Sequence, residues 1–409
     1  MNISLSAPDI GEREMAYVMR VLRSNQLSMG PWLDTFEKQF AEYIGTRHAI
    51  GVNSGTSALH LCVRALGIGA NDEVVTTSFS FVASVNCLLY EGALPALVDI
   101  DPKSLNLDPA AVRDFLRKRC SRSSEGQLID RGTNRVVKAL LPVHVFGQPC
   151  AMDELMEIAR EYRLDVLEDA CEAIGAETGG RRAGSFGSAG VFAFYPNKQM
   201  TTGEGGMITT NDPHIAELCR SMRNQGRDND GAWLRHVRLG YNYRLSEMQA
   251  ALGVAQLERI DSLLASRAEV AQRYTELLSG QSQLELPVDL PGAKRSWFVY
   301  VVKFRGKSPA ALRDHVRACL REDNIATQIY FTPIHRQTFF QQCFPGPAPS
   351  LPRTEEAGDR CLALPFHSRL RKSEIEFVCT SLTAAIESHP EHSIASEPAL
   401  VLESPREGT

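Results

Sequence analysis

"FAFYPNKQMTTGEGG" (192–206) sets one lysine, Lys198, just beyond an apolar, aromatic run and just before a Thr-Thr pair and a Gly-rich turn. A lysine in a loop is ordinarily a solvated surface group. This one follows what reads as a buried strand, so its surroundings decide its meaning. Upstream, short β-branched runs alternate with helical ones: "DEVVTTSFSF" (72–81), "ALPALVDID" (93–101), "VVKALLPVHVFG" (136–147), "LDVLEDA" (164–170) and "AGVFAFYP" (189–196) read as strands, with "GGMITT" (205–210) as a further candidate. "GVNSGTSALHLCVRALGIG" (51–69) reads as a turn followed by a buried helix. In "DELMEIAREYR" (153–163), Leu155, Ile158, Ala159 and Tyr162 share one helix face. Strand–helix alternation of this kind predicts an α/β fold: a mostly parallel sheet covered by helices.

The pattern changes beyond "YNYRLSEMQAALGVAQL" (241–257), where Ser246 and Gln249 form a capping-box signal for a helix start. A long helix to about residue 279 is followed by a strand ("SWFVYVVKF", 296–304), a helix (309–323), a strand ("ATQIYF", 326–331) and a last helix (373–388). The expected organisation is an N-terminal arm (1–15), a large domain (16–258), a smaller C-terminal α+β domain (259–388) and a disordered tail (389–409), the last from its Pro/Ser/Glu-rich composition. Residues 120–135, "CSRSSEGQLIDRGTNR", read as a flexible surface excursion.

The 409 residues are 43% hydrophobic, enough for a large core, and the formal net charge of −5 argues against a nucleic-acid binder. Ten cysteines without CxxC or Cys/His spacing suit reduced thiols in a cytoplasmic protein rather than a disulfide scaffold or a metal site. Neither a signal peptide nor an apolar run of about 18 residues is visible, so no membrane span is expected.

In a parallel α/β sheet, ligands bind beyond the carboxyl ends of the strands. Four features fall there. In "NSGTSAL" (53–59), Gly55 permits a turn, and Thr56 and Ser57 open a helix whose free N–H groups could cradle a phosphate, or serve merely as a cap. Asp169 ends an apolar strand and needs a partner: a metal, a proton, a cationic ring nitrogen or a structural ion pair. Phe81 follows a strand, where its ring could cover a flat cofactor or join the core. Lys198 completes the set. Phosphate cup, covering ring, carboxylate and amine are what pyridoxal phosphate requires; its ring nitrogen needs the anion and its aldehyde needs the amine for a Schiff base.

With these residues in order, the chain resembles the DegT/DnrJ/EryC1/StrS family of sugar aminotransferases, fold-type I pyridoxal-phosphate enzymes, over about residues 3–388. The resemblance rests on "SGTSAL", "DEVVTTSFSFVAS", "GALPALVDID", "LPVHVFGQP", "EDACEAIGA", "FAFYPNKQMTTGEGG" and "GYNYRLSEMQAALGVAQLERID". It implies a seven-stranded, mostly parallel sheet in the large domain. It also implies Lys198 as the Schiff-base lysine, Asp169 at the pyridine nitrogen, Phe81 stacked on the ring, Thr56 and Ser57 at the phosphate and Glu172 near the ring hydroxyl. Asn242 would reach the phosphate of a neighbouring subunit, which implies a homodimer with shared sites. His335 falls where family members bring a substrate-side histidine. The implied reaction moves an amino group from an amino acid, with L-glutamate the expected donor, to a nucleotide-linked keto sugar, as in amino-sugar and polysaccharide biosynthesis. A sugar dehydratase, another pyridoxal-phosphate enzyme and a non-catalytic regulator are the alternatives. A dehydratase branch carries histidine in place of the lysine, so Lys198 favours transamination. Two positions depart from the pattern: Ala193 stands where a phosphate-binding serine is common, and Tyr195 where histidine is frequent. Substrate contacts are expected in residues 25–32, 225–240 and around His335.

Overall fold

The computed structural model describes residues 2–228, 234–346 and 348–390. Eleven strands precede residue 211: β1 (His48–Val52), β2 (Asp72–Thr77), β3 (Leu94–Val98), β4 (Cys120–Arg122), β5 (Leu128–Asp130), β6 (Arg135–Leu141), β7 (Asp165–Asp169), β8 (Glu177–Thr178), β9 (Arg181–Arg182), β10 (Ala189–Ala193) and β11 (Gly206–Thr210). The main sheet runs β1-β11-β10-β7-β6-β2-β3, a path of seven strands, with the β4–β5 hairpin added beside β6. From β10 to β3 every pairing is parallel, whereas β11 runs antiparallel to both β10 and β1. The twelve residues between β10 and β11 contain no helix, the element that usually carries a parallel crossover, and the chain returns antiparallel.

β2 is buried along its whole length, and the last four residues of β7 are buried too. Both carry polar side chains within that burial, Glu73 and Thr76 in β2 and Glu168 in β7, and each of these is hydrogen-bonded. Helices cover the sheet, among them α1 (Glu12–Ser24), α2 (Pro31–Ile44), α3 (Gly55–Ala65) and α4 (Ala83–Leu89). α3 begins at Ser54, whose side chain accepts the Ser57 N–H. The helix Glu247–Leu257 begins with the capping box expected of Ser246 and Gln249.

A second apolar cluster lies in the C-terminal part, around an antiparallel sheet of Leu284–Glu285, Tyr300–Phe304 and Cys361–Leu364. Ile3 joins that cluster and forms a parallel bridge with Ile325, so the N-terminal arm packs on the C-terminal unit. The helix Ile260–Leu278 straddles two clusters: Ile260 and Leu263 pack with α2, and Val270, Tyr274 and Leu278 with the small sheet.

Three sequence readings are corrected. Residues 120–130 are not a loose excursion but the β4–β5 hairpin, locked to β6 through Ile129↔Val136. The stretch before Gly55 contains β1, a five-residue edge strand too short to show periodicity. "ATQIYF" is irregular chain with only isolated bridges, and the third strand of the small sheet is Cys361–Leu364 instead. Residues 391–409, most of the expected tail, lie outside the described residues. Among the described residues no helix is long and apolar enough to cross a membrane.

Candidate active site

A cleft of about 610 Å³ opens beside the carboxyl ends of β7 and β10 and the start of α3. Thr56, Phe81, Asp169, Glu172 and Lys198 all line it. The topology explains the convergence. β7 and β10 are parallel neighbours with Val191 opposite Asp169, so the turn after β10 comes down beside the residues after β7.

Asp169 is the last residue of β7 and is 5% exposed. Ser84, near the start of α4, donates to Oδ2 at 2.7 Å, and the Cys171 N–H donates to Oδ1 at 3.1 Å. These donors fix the carboxylate and offset part of its desolvation. Ser84 was not singled out from the sequence, although it lies in the quoted "SFSFVAS".

Lys198 follows β10 in a turn closed by its own N–H on the Tyr195 carbonyl at 2.9 Å. Its Nζ lies 3.8 Å from the centroid of the Phe298 ring and 3.4 Å from Glu172 Oε1. Glu172 is pinned at its other oxygen by the Phe146 N–H at 2.9 Å. Burial pushes the Glu172 carboxyl above its usual range, against the opposing pull of the Lys198 ammonium.

At the start of α3, Ser54 accepts the N–H of Ser57 through its hydroxyl and that of Ala58 through its carbonyl. The amides of Gly55 and Thr56 remain for an outside acceptor, an arrangement suited to an anion. The approach is tight: a Cβ on Gly55 would sit 2.7 Å from Ala193 Cβ, and one on Gly206 would sit 2.5 Å from the Ser54 carbonyl carbon. Phe81 stands 61% exposed at the edge of the cleft.

Three expected residues do not line this cleft. Ser57 is buried with its hydroxyl 2.9 Å from that of Ser54, so it supports the turn rather than facing the cavity. His335 is 2% exposed and lies behind the wall. The backbone N–H of His335 donates to Ser78 Oγ at 3.0 Å, and its Nδ1 is 2.7 Å from the same oxygen. Burial lowers the pKa of the ring, against the pull of Glu355, whose Oε1 lies 3.3 Å from Nε2. Asn242 is exposed, between Tyr241 and Tyr243, whose rings stack at 4.9 Å. Of the loops expected to contact substrate, residues 229–233 lie outside the described residues.

Other cleft residues escaped the sequence reading. Phe298 and residues 328–332 form the far wall together with Gln337. Arg267 lies beneath it, donating to the carbonyls of Lys198 (2.9 Å) and Phe298 (3.1 Å). A signal existed for it: Leu263, Arg267, Val270 and Tyr274 share the buried face of one helix. Among the described residues no cluster of His, Cys, Asp or Glu could hold a metal ion.

A mostly parallel sheet with one reversed strand, a lysine and a buried carboxylate brought to one cleft from neighbouring strand ends, and an open helix start fit an enzyme of the pyridoxal-phosphate aminotransferase class. The chain belongs to the DegT/DnrJ/EryC1/StrS aminotransferase family, whose model matches residues 8–383. It is 39% identical over 384 residues to a GDP-perosamine synthase of Caulobacter vibrioides, covering 93% of this chain and 97% of that one. Among solved structures it is similar to Helicobacter pylori PseC, an aminotransferase of pseudoaminic acid biosynthesis, with a TM-score of 0.86, 27% identity, and 95% of this chain and 100% of that chain covered. S. venezuelae DesV, solved in complex with a ketimine intermediate, matches with a TM-score of 0.81 and 34% identity over 91% of this chain and 94% of that chain.

Proposed function

We propose that this protein moves an amino group from an amino acid, with L-glutamate the expected donor, to the ketone of a nucleotide-linked sugar, using pyridoxal 5'-phosphate. The observation that carries the reading is the convergence of Lys198, Asp169 and the open start of α3 on one cleft. The residues fit the cofactor. The free amides of Gly55 and Thr56, with the Thr56 hydroxyl, would hold its phosphate. The exposed Phe81 ring would cover one face of the heterocycle. Asp169, fixed by Ser84, would sit at the ring nitrogen and keep it protonated. When bound, pyridoxal phosphate supplies an aldehyde that bonds covalently to an amine and a ring that accepts an electron pair.

The rest is done by the chain. Lys198 presents its amine to the cleft, where with the cofactor in place it would bond to the aldehyde and move a proton at the reacting carbon. Glu172 stands 3.4 Å from that amine. As a buried carboxyl held above its usual range, it can share a proton with the ammonium or with a hydroxyl on the ring. Phe298, Tyr330 and Phe331 supply an apolar wall that excludes water from the reacting atoms.

The relatives' names, which include the synthase of a GDP-linked amino sugar, support a nucleotide-linked keto sugar as acceptor. A homodimer with shared sites is supported by Asn242, which is exposed and does not line its own cleft, and by the exposed apolar residues Met15, Met19 and Leu22 on α1. All ten cysteines are free, which suits the cytoplasm. The large and small domains divide at about residue 258, with the N-terminal arm returning to the small one.

The test is purified protein with pyridoxal phosphate, L-glutamate and a panel of keto-sugar nucleotides, GDP-linked ones first, read by mass spectrometry of the sugar product. A glutamate-dependent amino sugar is expected. Its absence across the panel, or its persistence in Lys198→Ala, overturns the reading.

A further inference from the structure

Arg267 lies in the helix Ile260–Leu278 and is 3% exposed. Among the described residues no carboxylate pairs with it. Its partners are three main-chain carbonyls: Lys198 at 2.9 Å, Phe298 at 3.1 Å and Asn197 at 3.4 Å. Its guanidinium carbon also lies 5.6 Å from the centroid of the Phe366 ring. Desolvation pushes its pKa down to about 10, so it stays charged at neutral pH while having no counter-ion at contact.

A cation buried on carbonyls alone is an expensive way to fill a helix face, where an apolar side chain would serve stability as well or better. Its partners explain its presence. Lys198 and Phe298 are 100 positions apart in the chain, yet the Lys198 amine lies 3.8 Å from the centre of the Phe298 ring. The same guanidinium grips the main chain of both. Its planar fork fixes two acceptors at once, which a lysine ammonium does not reproduce. The third carbonyl belongs to Asn197, so the turn that presents the amine is held at two successive peptides.

We infer that Arg267 is a positioning residue for the Lys198 amine: one guanidinium ties the lysine's turn to the backbone of Phe298 and so holds the amine against that ring, at the edge of the cleft. This rests on the aminotransferase reading, in which Lys198 attacks the cofactor aldehyde. Misplacing an attacking group by about 1 Å can cost up to about 100-fold in rate. The phosphate end would be held by the start of α3, which is not among the partners of Arg267. The two functions therefore separate.

The experiment uses the full chain freed of cofactor, as wild type, Arg267→Met and Arg267→Lys. Absorbance changes on mixing with pyridoxal phosphate follow covalent capture, and borohydride reduction followed by tryptic mapping confirms Lys198 as the captured residue. Affinity for pyridoxamine phosphate, which forms no such bond, reports the phosphate end, and melting temperature reports folding. The proposal expects capture about tenfold slower or worse in both variants, with pyridoxamine phosphate affinity retained. Capture at the wild-type rate overturns it. So does a parallel loss of capture, affinity and melting temperature, which a purely structural role would give. If neither variant folds, Phe298→Leu removes the ring and keeps the clamp: slowed capture supports the proposal, and the wild-type rate overturns it. A wild type that captures no pyridoxal phosphate at Lys198 removes the aminotransferase reading itself.

Discussion

On one side of the cleft Asp169 and Lys198 leave the ends of paired parallel strands; on the other, residues 328–332 and Gln337 line it from a stretch that is irregular apart from the one-turn helix Ile334–Arg336. The first side is held by a backbone ladder and by buried donors such as Ser84. The second is held by ring contacts: Tyr330 and Phe331 stack at 5.0 Å, and Phe331 lies 5.4 Å from Phe146. His335 anchors it through Ser78. A ladder fixes atoms to fractions of an ångström, as proton transfer demands. Stacked rings and loop side chains tolerate change, as a surface that distinguishes substrates must. We propose that the chemistry belongs to the first side and the choice of acceptor to the second.

The sharpest way to break that division is Lys198→Ala. Removing the amine should lower kcat by at least about 1,000-fold, measured as amino-sugar formation, with the fold retained by circular dichroism. Asp169→Asn keeps the shape and removes the anion, and should cost about 100- to 1,000-fold in kcat. If either left most of the activity, the strand-end side would not be the chemical one.

Glu172 sharpens the comparison through pH. Its folded carboxyl titrates above its ordinary value of 4.5, chiefly because it is buried. A carboxyl raised in this way holds an extra proton in the folded state. Its contribution to stability is present at low pH and is lost as pH rises from about 4.5 through the folded value. Glu172→Gln removes that loss. In cofactor-free protein, the melting temperature of the variant relative to wild type should climb between pH 4.5 and neutrality. A difference that is flat or falling over that range contradicts the assignment. On the opposite side, Gln337→Ala should raise KM for the sugar nucleotide about tenfold, the loss of one good hydrogen bond, and leave kcat nearly unchanged. A fall in kcat alone would place chemistry where the proposal places selection.

The same division governed what the sequence disclosed. β2 and β7 were legible from short aliphatic centres, Val74–Val75 and Val166–Leu167, set in a strand–helix alternation, and Asp169 stood out as a charged residue closing such a strand. Lys198 stood out for the same reason. The irregular side carries no period. "ATQIYF" has strand-like composition but pairs only through isolated bridges, and a histidine facing Ser78 from behind the wall looks the same in sequence as one facing a ligand. Arg267 is the instructive omission. Its buried face was visible in the helix pattern, but its carbonyl partners lie about 70 and about 31 positions away in the chain, and no local rule connects them.

The smallest predicted effect tests the phosphate end. Ala193 ends β10 and lines the cleft, and its Cβ lies against the backbone of Gly55, next to amides that have no partner among the described residues. A serine there would add one hydroxyl beside the position assigned to the phosphate. A hydrogen bond to a charged group contributes about 1.5–3 kcal/mol. The tight contact with Gly55 opposes it, since an added oxygen must find room where a Cβ on Gly55 would already meet Ala193 at 2.7 Å. The lower end of that range is therefore the expectation: Ala193→Ser should bind pyridoxal phosphate up to about tenfold tighter, measured by equilibrium dialysis, with kcat close to wild type. Because the serine acts only through the phosphate, the gain should vanish for pyridoxal lacking it. A gain that persists with pyridoxal would move the phosphate away from α3, and the geometry of the strand-end side would have to be redrawn.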